Sequence, residues 1–225
     1  MKKFLFCLFV CFIPYSTYGQ GKIQRPQESI SSQKSKSISN PDGYINGHGY
    51  VDLGLPSKIK WATCNIGAEK YYDYGDHFAW GEIQMRNLYN YNNCKNYGSF
   101  GDITKNPKYD APTYLWGSGW CLPSKKDFIE LKNKCRWEWK VFNGHCGYKI
   151  TGPNGKSIFL PASGNYWGGK IDFLNEGANY WSSTPTTDIE TRVGKSSDNL
   201  NFGKDFIFIN NCDRAFGNSI RPVFK

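Results

Sequence analysis

The period of apolar and polar positions changes several times along the chain, and each change marks an element. Residues 1–19 read MKKFLFCLFVCFIPYSTYG. Lys2 and Lys3 precede an apolar run over 4–13, and the small residues Thr17 and Gly19 follow at positions suited to cleavage. The run is too short to span a bilayer, so it predicts a secretory signal peptide. Val10 stands where a lipid-attachment motif needs a small residue, so Cys11 predicts no lipid anchor. Residues 20–43 contain no aromatic side chain and are rich in Ser, Gln and Lys. Such a stretch cannot bury enough area to offset its ordering entropy. It predicts a flexible polar linker that ends in the turn Asn40-Pro41-Asp42-Gly43. The remaining aromatic residues all lie in 44–225, which predicts one domain there.

Within the domain, Phe128, Leu131 and Cys135 share one helical face while Lys125, Lys126, Glu130, Lys132 and Lys134 turn away. Ser124 and Asp127 form an S-x-x-D capping arrangement, so a helix is predicted over 124–135. After it, Trp137, Trp139 and Val141 alternate with Arg136, Glu138 and Lys140, which is strand periodicity. Residues 148–151 and 157–160, joined by Gly152-Pro153-Asn154-Gly155, predict a hairpin. Residues 179–184 predict a strand. Residues 205–210 (DFIFIN) are apolar on both faces and predict a central strand. Residues 219–224 predict a closing strand. The expected fold class is α+β, with short antiparallel strands, one or two helices and long loops.

Composition narrows the class. Aromatics make up 17% of the 225 residues, which excludes a disordered chain, and 24 Gly against 2 Met argue against a helical bundle. The net charge of +9 raises the question of nucleic acid. The leader carries Lys2 and Lys3, and the linker carries Lys22, Arg25, Lys34 and Lys36 against Glu28 and Asp42. In the domain, acidic residues interleave with basic ones, so no basic face is indicated. We expect no nucleic-acid partner and no transmembrane segment. The expected destination is secreted, periplasmic or cell-surface. With the leader gone, Cys64, Cys94, Cys121, Cys135, Cys146 and Cys212 remain. An even number in an exported chain predicts disulfides, with the pairing open and Cys64–Cys135 the preferred bridge. No C-x-x-C occurs and the three His are scattered, so no metal site is expected.

A set of phrases carries a family resemblance. They are Tyr50-Val51-Asp52-Leu53-Gly54-Leu55-Pro56-Ser57, Lys60-Trp61-Ala62-Thr63-Cys64-Asn65-Ile66-Gly67, and Phe78-Ala79-Trp80-Gly81-Glu82. Trp116-Gly117-Ser118-Gly119-Trp120, Leu122-Pro123-Ser124, Tyr180-Trp181-Ser182-Ser183 and Ser219-Ile220-Arg221-Pro222-Val223 follow in order. Over 44–225 the chain resembles the Fibrobacter major paralogous domain family of exported Bacteroidetes proteins. That resemblance implies similarity to C-type-lectin-like and formylglycine-generating-enzyme-like folds, in which a scaffold supports variable ligand-binding loops. It implies no reaction. Cys121 departs from the family phrase, which commonly carries Arg there, and Cys146 and Cys212 look like additions.

The chemistry of the residues points to recognition rather than catalysis. No G-x-S-x-G occurs, and His145 and Cys146 are adjacent, so in an extended segment they point apart. We therefore expect no enzyme. The C-type-lectin sugar motifs for calcium are missing, and the nearest substitute is Asp188, Glu190, Asp198 and Asn199. Calcium is a possible ligand without a supporting motif, and no cofactor is expected. The expected function is an exported adhesin or ligand-binding module, taking a glycan or protein at a cell surface through loops 164–179 and 185–201. The candidate binding residues are Tyr166, Trp167, Asp188, Arg192, Asp198, Asn199, Asp213 and Arg214, because loops on a rigid scaffold can vary in their contacts without harming the fold. The alternatives are a structural subunit of a surface assembly and, less favoured, an enzyme on a formylglycine-generating-enzyme-like fold. Arg221 is expected to make a partly buried contact to a carboxylate, with Asp52 or Glu82 as partner, or to backbone carbonyls.

Overall fold

A computed structural model describes residues 38, 40–187 and 194–225. The predicted signal peptide, the predicted linker up to residue 37, and Asp188, Glu190 and Arg192 lie outside the described residues. In chain order the elements are β1 (Gly43–Ile45), β2 (His48–Asp52), β3 (Lys60–Ala62), β4 (His77–Phe78), α1 (Ala111–Trp116), β5 (Trp120–Cys121), α2 (Lys125–Lys134) and β6 (Arg136–Phe142). They continue with β7 (His145–Thr151), β8 (Ser157–Pro161), β9 (Ser163–Trp167), β10 (Lys170–Leu174), β11 (Gly177–Pro185) and β12 (Ser196–Gly203). The last are β13 (Phe206–Asp213), β14 (Asn218–Ser219) and β15 (Val223–Phe224).

These strands form three sheets. One runs β1-β2-β3-β15-β5, a second β6-β7-β8, and the third β10-β9-β11-β12-β13, with β14 and β4 attached to it beside β11. Among the described residues strand accounts for 41% and helix for 10%, with two α-helices. The α+β, C-type-lectin-like expectation is therefore wrong: the fold is β-rich. Short aromatic and β-branched segments between glycine turns became strands almost everywhere. Helix formed where a capping signal was present.

That signal is intact at α2. The Ser124 hydroxyl accepts from Asp127 N at 3.3 Å while Ser124 N donates to Asp127 Oδ2 at 2.6 Å. Phe128 and Leu131 face the main core. The predicted hairpin is β7–β8, with Lys149 opposite Phe159. The predicted closing strand is instead two strands in two sheets: β14 pairs with β11 and β4, and β15 pairs with β3 and β5. Between them the chain crosses from sheet to sheet with Arg221 fully buried.

The main core joins all three sheets through Val51, Trp61, Tyr148, Ile150, Leu160, Tyr180, Leu200 and Phe202. A second cluster holds Phe78, Trp80, Leu122, Trp181 and Ile220. Arg221 Nε donates to Asn65 Oδ1 at 2.9 Å, Nη1 to the carbonyls of Ala62 and Thr63 at 3.1 Å, and Nη2 to the carbonyl of Phe159 at 2.9 Å. These acceptors are carbonyl oxygens, and neither Asp52 nor Glu82 is among them. Asp52 instead accepts from Gly54 N, and Glu82 pairs with Arg86.

An Arg221→Lys substitution keeps the charge but loses the planar fork that reaches several acceptors at once. We expect it to cost about 3–5 kcal/mol, the usual loss when a buried charged network is broken. Urea unfolding monitored by tryptophan fluorescence checks this; a loss below about 1 kcal/mol contradicts the assigned role.

Candidate functional site

The large sheet has two unlike faces. Ala178, Tyr180, Leu200, Phe202, Ile207 and Ile209 turn to the main core. Their alternates on β11, β12 and β13 turn the other way. At one end of that second face, Trp181 and Cys212 are covered by the second cluster. At the other end the face is open. There the ladder places Asn179 opposite Asn201 and Asn201 opposite Phe208. The next rung is Gly177 opposite Gly203 and Gly203 opposite Phe206.

The amides are ordered by one another. Asn199 Nδ2 donates to Asn179 Oδ1 at 2.7 Å, and Asn201 Nδ2 donates to the same oxygen at 2.9 Å. Asn179 Oδ1 is thereby occupied. Among the described residues nothing bonds Asn179 Nδ2 or Asn201 Oδ1, so a donor and an acceptor are left side by side. A cleft of about 380 Å³ lies over them, with Asn165, Phe173, Glu176 and Phe206 in its walls. Gly203 leaves room for the Phe206 ring: a Cβ there would stand 2.6 Å from it.

The loop before β11 holds Phe173 out. Asn175 N donates to the carbonyl of Ala162, and its Oδ1 accepts from Tyr74 Oη at 2.7 Å and Cys146 N at 2.8 Å. Phe173 has φ +60° and is 64% exposed. A bulky residue in the left-handed region is unusual and gains little here from burial. Its strand neighbour across the ladder, Gly164, has φ +68°, and a Cβ there would meet the carbonyl of Asp172 at 2.3 Å.

The predicted residues fall differently. Trp167 is half-buried, stacked on Phe216 at 4.3 Å and against Tyr91 at 4.7 Å. The Tyr166 hydroxyl donates to the carbonyls of Asn87 and Gly169 at 3.3 and 3.2 Å. Asp198 is buried and paired with Lys125 at 3.1 Å; burial pushes its carboxyl up, and Lys125 pulls it down. Asn199 is also buried and serves the cleft by fixing Asn179. Asp198 and Asn199 are neighbours on β12 and point to opposite faces, so they cannot share a calcium ion. Asp213 Oδ1 accepts from Tyr97 Oη at 2.5 Å and from Ala215 N at 3.0 Å; burial first, then this carboxylate, raise the Tyr97 phenol.

Arg214 is 1% exposed. Its Nη1 donates to the carbonyls of Asn96, Gly98 and Gly194, and its Nε to the carbonyl of Ser196 and the hydroxyl of Ser197. The guanidinium lies 4.2 Å from the Trp80 ring centre. It is a structural cross-link, so the expectation that it contacts ligand is corrected. Asp188 and Arg192 lie outside the described residues.

The sequence reading missed Asn165, Phe173, Asn179, Asn201, Phe206 and Phe208. The DFIFIN segment misled: β13 is an edge strand, and Phe206 and Phe208 are 42% and 54% exposed. The signal available was the choice of side chain, Ile on the inner face and Phe on the outer.

The six cysteines among the described residues are free, Cys64 and Cys135 included. Burial pushes the thiols of Cys121, Cys135 and Cys212 up to about 12, so they stay protonated at neutral pH. Among the described residues no three His, Cys, Asp or Glu side chains gather as a metal site. No helix among them is long and apolar enough to cross a membrane. No family model matches the chain, and neither a curated protein nor a solved structure matches it.

The left-handed Phe173 gives a test. Phe173→Gly removes an exposed ring and a disfavoured backbone state. We expect stability to stay level or to rise by up to about 1 kcal/mol, read from the denaturation midpoint. A loss of about 2 kcal/mol or more would show that the ring is held for packing.

Proposed function

We propose that this protein is an exported, non-catalytic recognition module that binds neutral glycans in the cleft over Asn179 and Asn201. The observation that carries the reading is the unengaged donor–acceptor pair, Asn179 Nδ2 and Asn201 Oδ1, beside Phe173 and Phe206. A sugar hydroxyl both donates and accepts, so neighbouring hydroxyls match such a pair. The apolar C–H face of a pyranose ring suits an exposed aromatic plate. Neutral amides also avoid the desolvation cost that a charged side chain would bring to a shallow site.

Membership of the Fibrobacter major paralogous domain family is part of this proposal, as is display at a cell surface or release from the cell. Both rest on the motif phrases and the leader sequence. The ligand contacts move from the loop charges to the sheet face.

A glycan array screened with the full chain, followed by titration of the best neutral hit, tests the proposal. Asn201→Ala and Phe206→Ala should each weaken binding about tenfold, one hydrogen bond or one stacking contact being worth roughly 1 kcal/mol. Melting temperatures should stay near that of the wild type. The proposal fails if the wild type binds no neutral glycan, or if both folded variants bind as the wild type does.

A further inference from the structure

The cleft over Asn179 and Asn201 crosses the strands instead of following one. The parallel contact of Ala178 with Gly164 sets Asn165 on β9 beside Asn179 on β11, and Asn179 stands opposite Asn201 on β12. Three amides therefore lie in one row, on three neighbouring strands, and all three line the cleft. The next rung on β11 and β12 is Gly177 opposite Gly203, which adds no side chain. On the other side of the row, Trp181 belongs to the second cluster and Asn199 is buried. The result is a trough whose long axis runs across the sheet. Phe173 on β10 and Phe206 on β13 line its two ends. Four strand spacings separate β10 from β13, on the order of 19 Å along the sheet at about 4.8 Å each. A volume of about 380 Å³ spread over that length makes the trough narrow.

Asn165 is the member of the row whose amide is wholly unengaged. It is 9% exposed, and among the described residues no group bonds its Oδ1 or Nδ2. An amide so deeply placed costs free energy unless water or a ligand supplies its bonds. Along the row, Asn165 thus offers a donor and an acceptor, Asn179 a donor, and Asn201 an acceptor. These groups recur at the spacing of the strands. The row ends on an aromatic ring: Phe208 stands opposite Asn201 on β13 and is 54% exposed. The Phe206 and Phe208 rings have centres 5.4 Å apart and planes 22° from parallel, so they form one pair.

We infer that the trough takes a linear neutral oligosaccharide lying across the strands, with one sugar ring at each aromatic end and the sugars between them over the amide row. This rests on the glycan reading and goes further, because a single terminal sugar does not fill the site. A lone pyranose covers little more than one strand spacing. It can meet one aromatic end or the amides, but not both ends. A chain of sugars repeats its hydroxyls along a line, and each hydroxyl can donate and accept. A row of fixed amides on neighbouring strands presents matching groups along a line as well. The amides stand on paired strands, so they are in place before the chain arrives and little ordering cost falls on binding.

The experiment titrates the full chain by calorimetry with homo-oligosaccharides of glucose, mannose and xylose, α- and β-linked, from two to six units. We expect at least one series to bind, with affinity rising about tenfold or more between the dimer and the hexamer as the second aromatic end is engaged. Phe173→Gly and Asn165→Ala should each weaken hexamer binding about tenfold, the loss of one stacking or hydrogen-bonding contact, and flatten the rise with length. Melting temperatures should stay near that of the wild type. If no series binds, the glycan reading falls and this inference falls with it. If a series binds equally well at two units and at six, or if the full rise survives in both folded variants, this inference alone is overturned.

Discussion

The fold depends on a buried cation that is solvated by protein carbonyls. Arg221 sits where the chain leaves the large sheet for the five-stranded one. Its guanidinium bonds the end of β3, the residues just after it, and Phe159 on β8. One side chain therefore touches backbone of two sheets, on a residue that lies just after a strand of the third. Taking a guanidinium out of water is costly. Four charge-assisted bonds to preset oxygens offset that cost in a way that a single neutral bond could not. The network continues: Asn65 Nδ2 donates to Tyr180 Oη at 3.1 Å, and Tyr180 donates to the carbonyl of Pro161 at 2.8 Å. Desolvation lowers the Arg221 pKa and pushes the Tyr180 phenol up to about 12. The Tyr180 phenol therefore stays protonated at neutral pH.

Arg214 applies the same device to loops. Its donors gather the carbonyls of Asn96, Gly98, Gly194 and Ser196, which come from two segments far apart in sequence. Segments with little regular structure still have backbone groups to satisfy. A single buried arginine stacked on Trp80 can do that for several of them. A positive residue in a polar loop is then easily mistaken for a ligand contact. Its burial is decided by residues about a hundred positions away, which no local pattern records.

The parts of the fold that were legible were local ones. The capping box at Ser124 and Asp127 and the hairpin turn at Gly152–Gly155 depend on neighbours within a few residues, and both formed. Strand existence was also legible, because alternation is local. The number of neighbours a strand has is not local. Phe206-Ile207-Phe208-Ile209 reads alike for a central and an edge strand, and only the sheet order makes it an edge. The balance of helix and strand was misjudged for a related reason. Segments such as His77–Phe78 and Asn218–Ser219 are short, and they become strands by pairing with one another and, for the second, with β11. The candidate site was partly legible: loop 164–179 was expected to bear it and supplies Asn165, Phe173, Glu176 and Asn179. The partner strands were not, since an asparagine in a strand gives no sign of which face is open.

The two sheets present unlike surfaces. On the large sheet, small and planar side chains share a flat face, and the amides satisfy part of each other's demand, leaving donor and acceptor in balance. On the five-stranded sheet, aromatic rings are fixed by stacking: the His48 ring lies flat on Trp116, which meets Trp120 edge-on. The first arrangement selects by hydroxyl geometry, because a fixed donor beside a fixed acceptor admits only neighbouring groups of matching direction. Arg221, Asn65 and Tyr180 link the two sheets through one chain of hydrogen bonds, so the amide face is held by buried contacts and not by the loops around it.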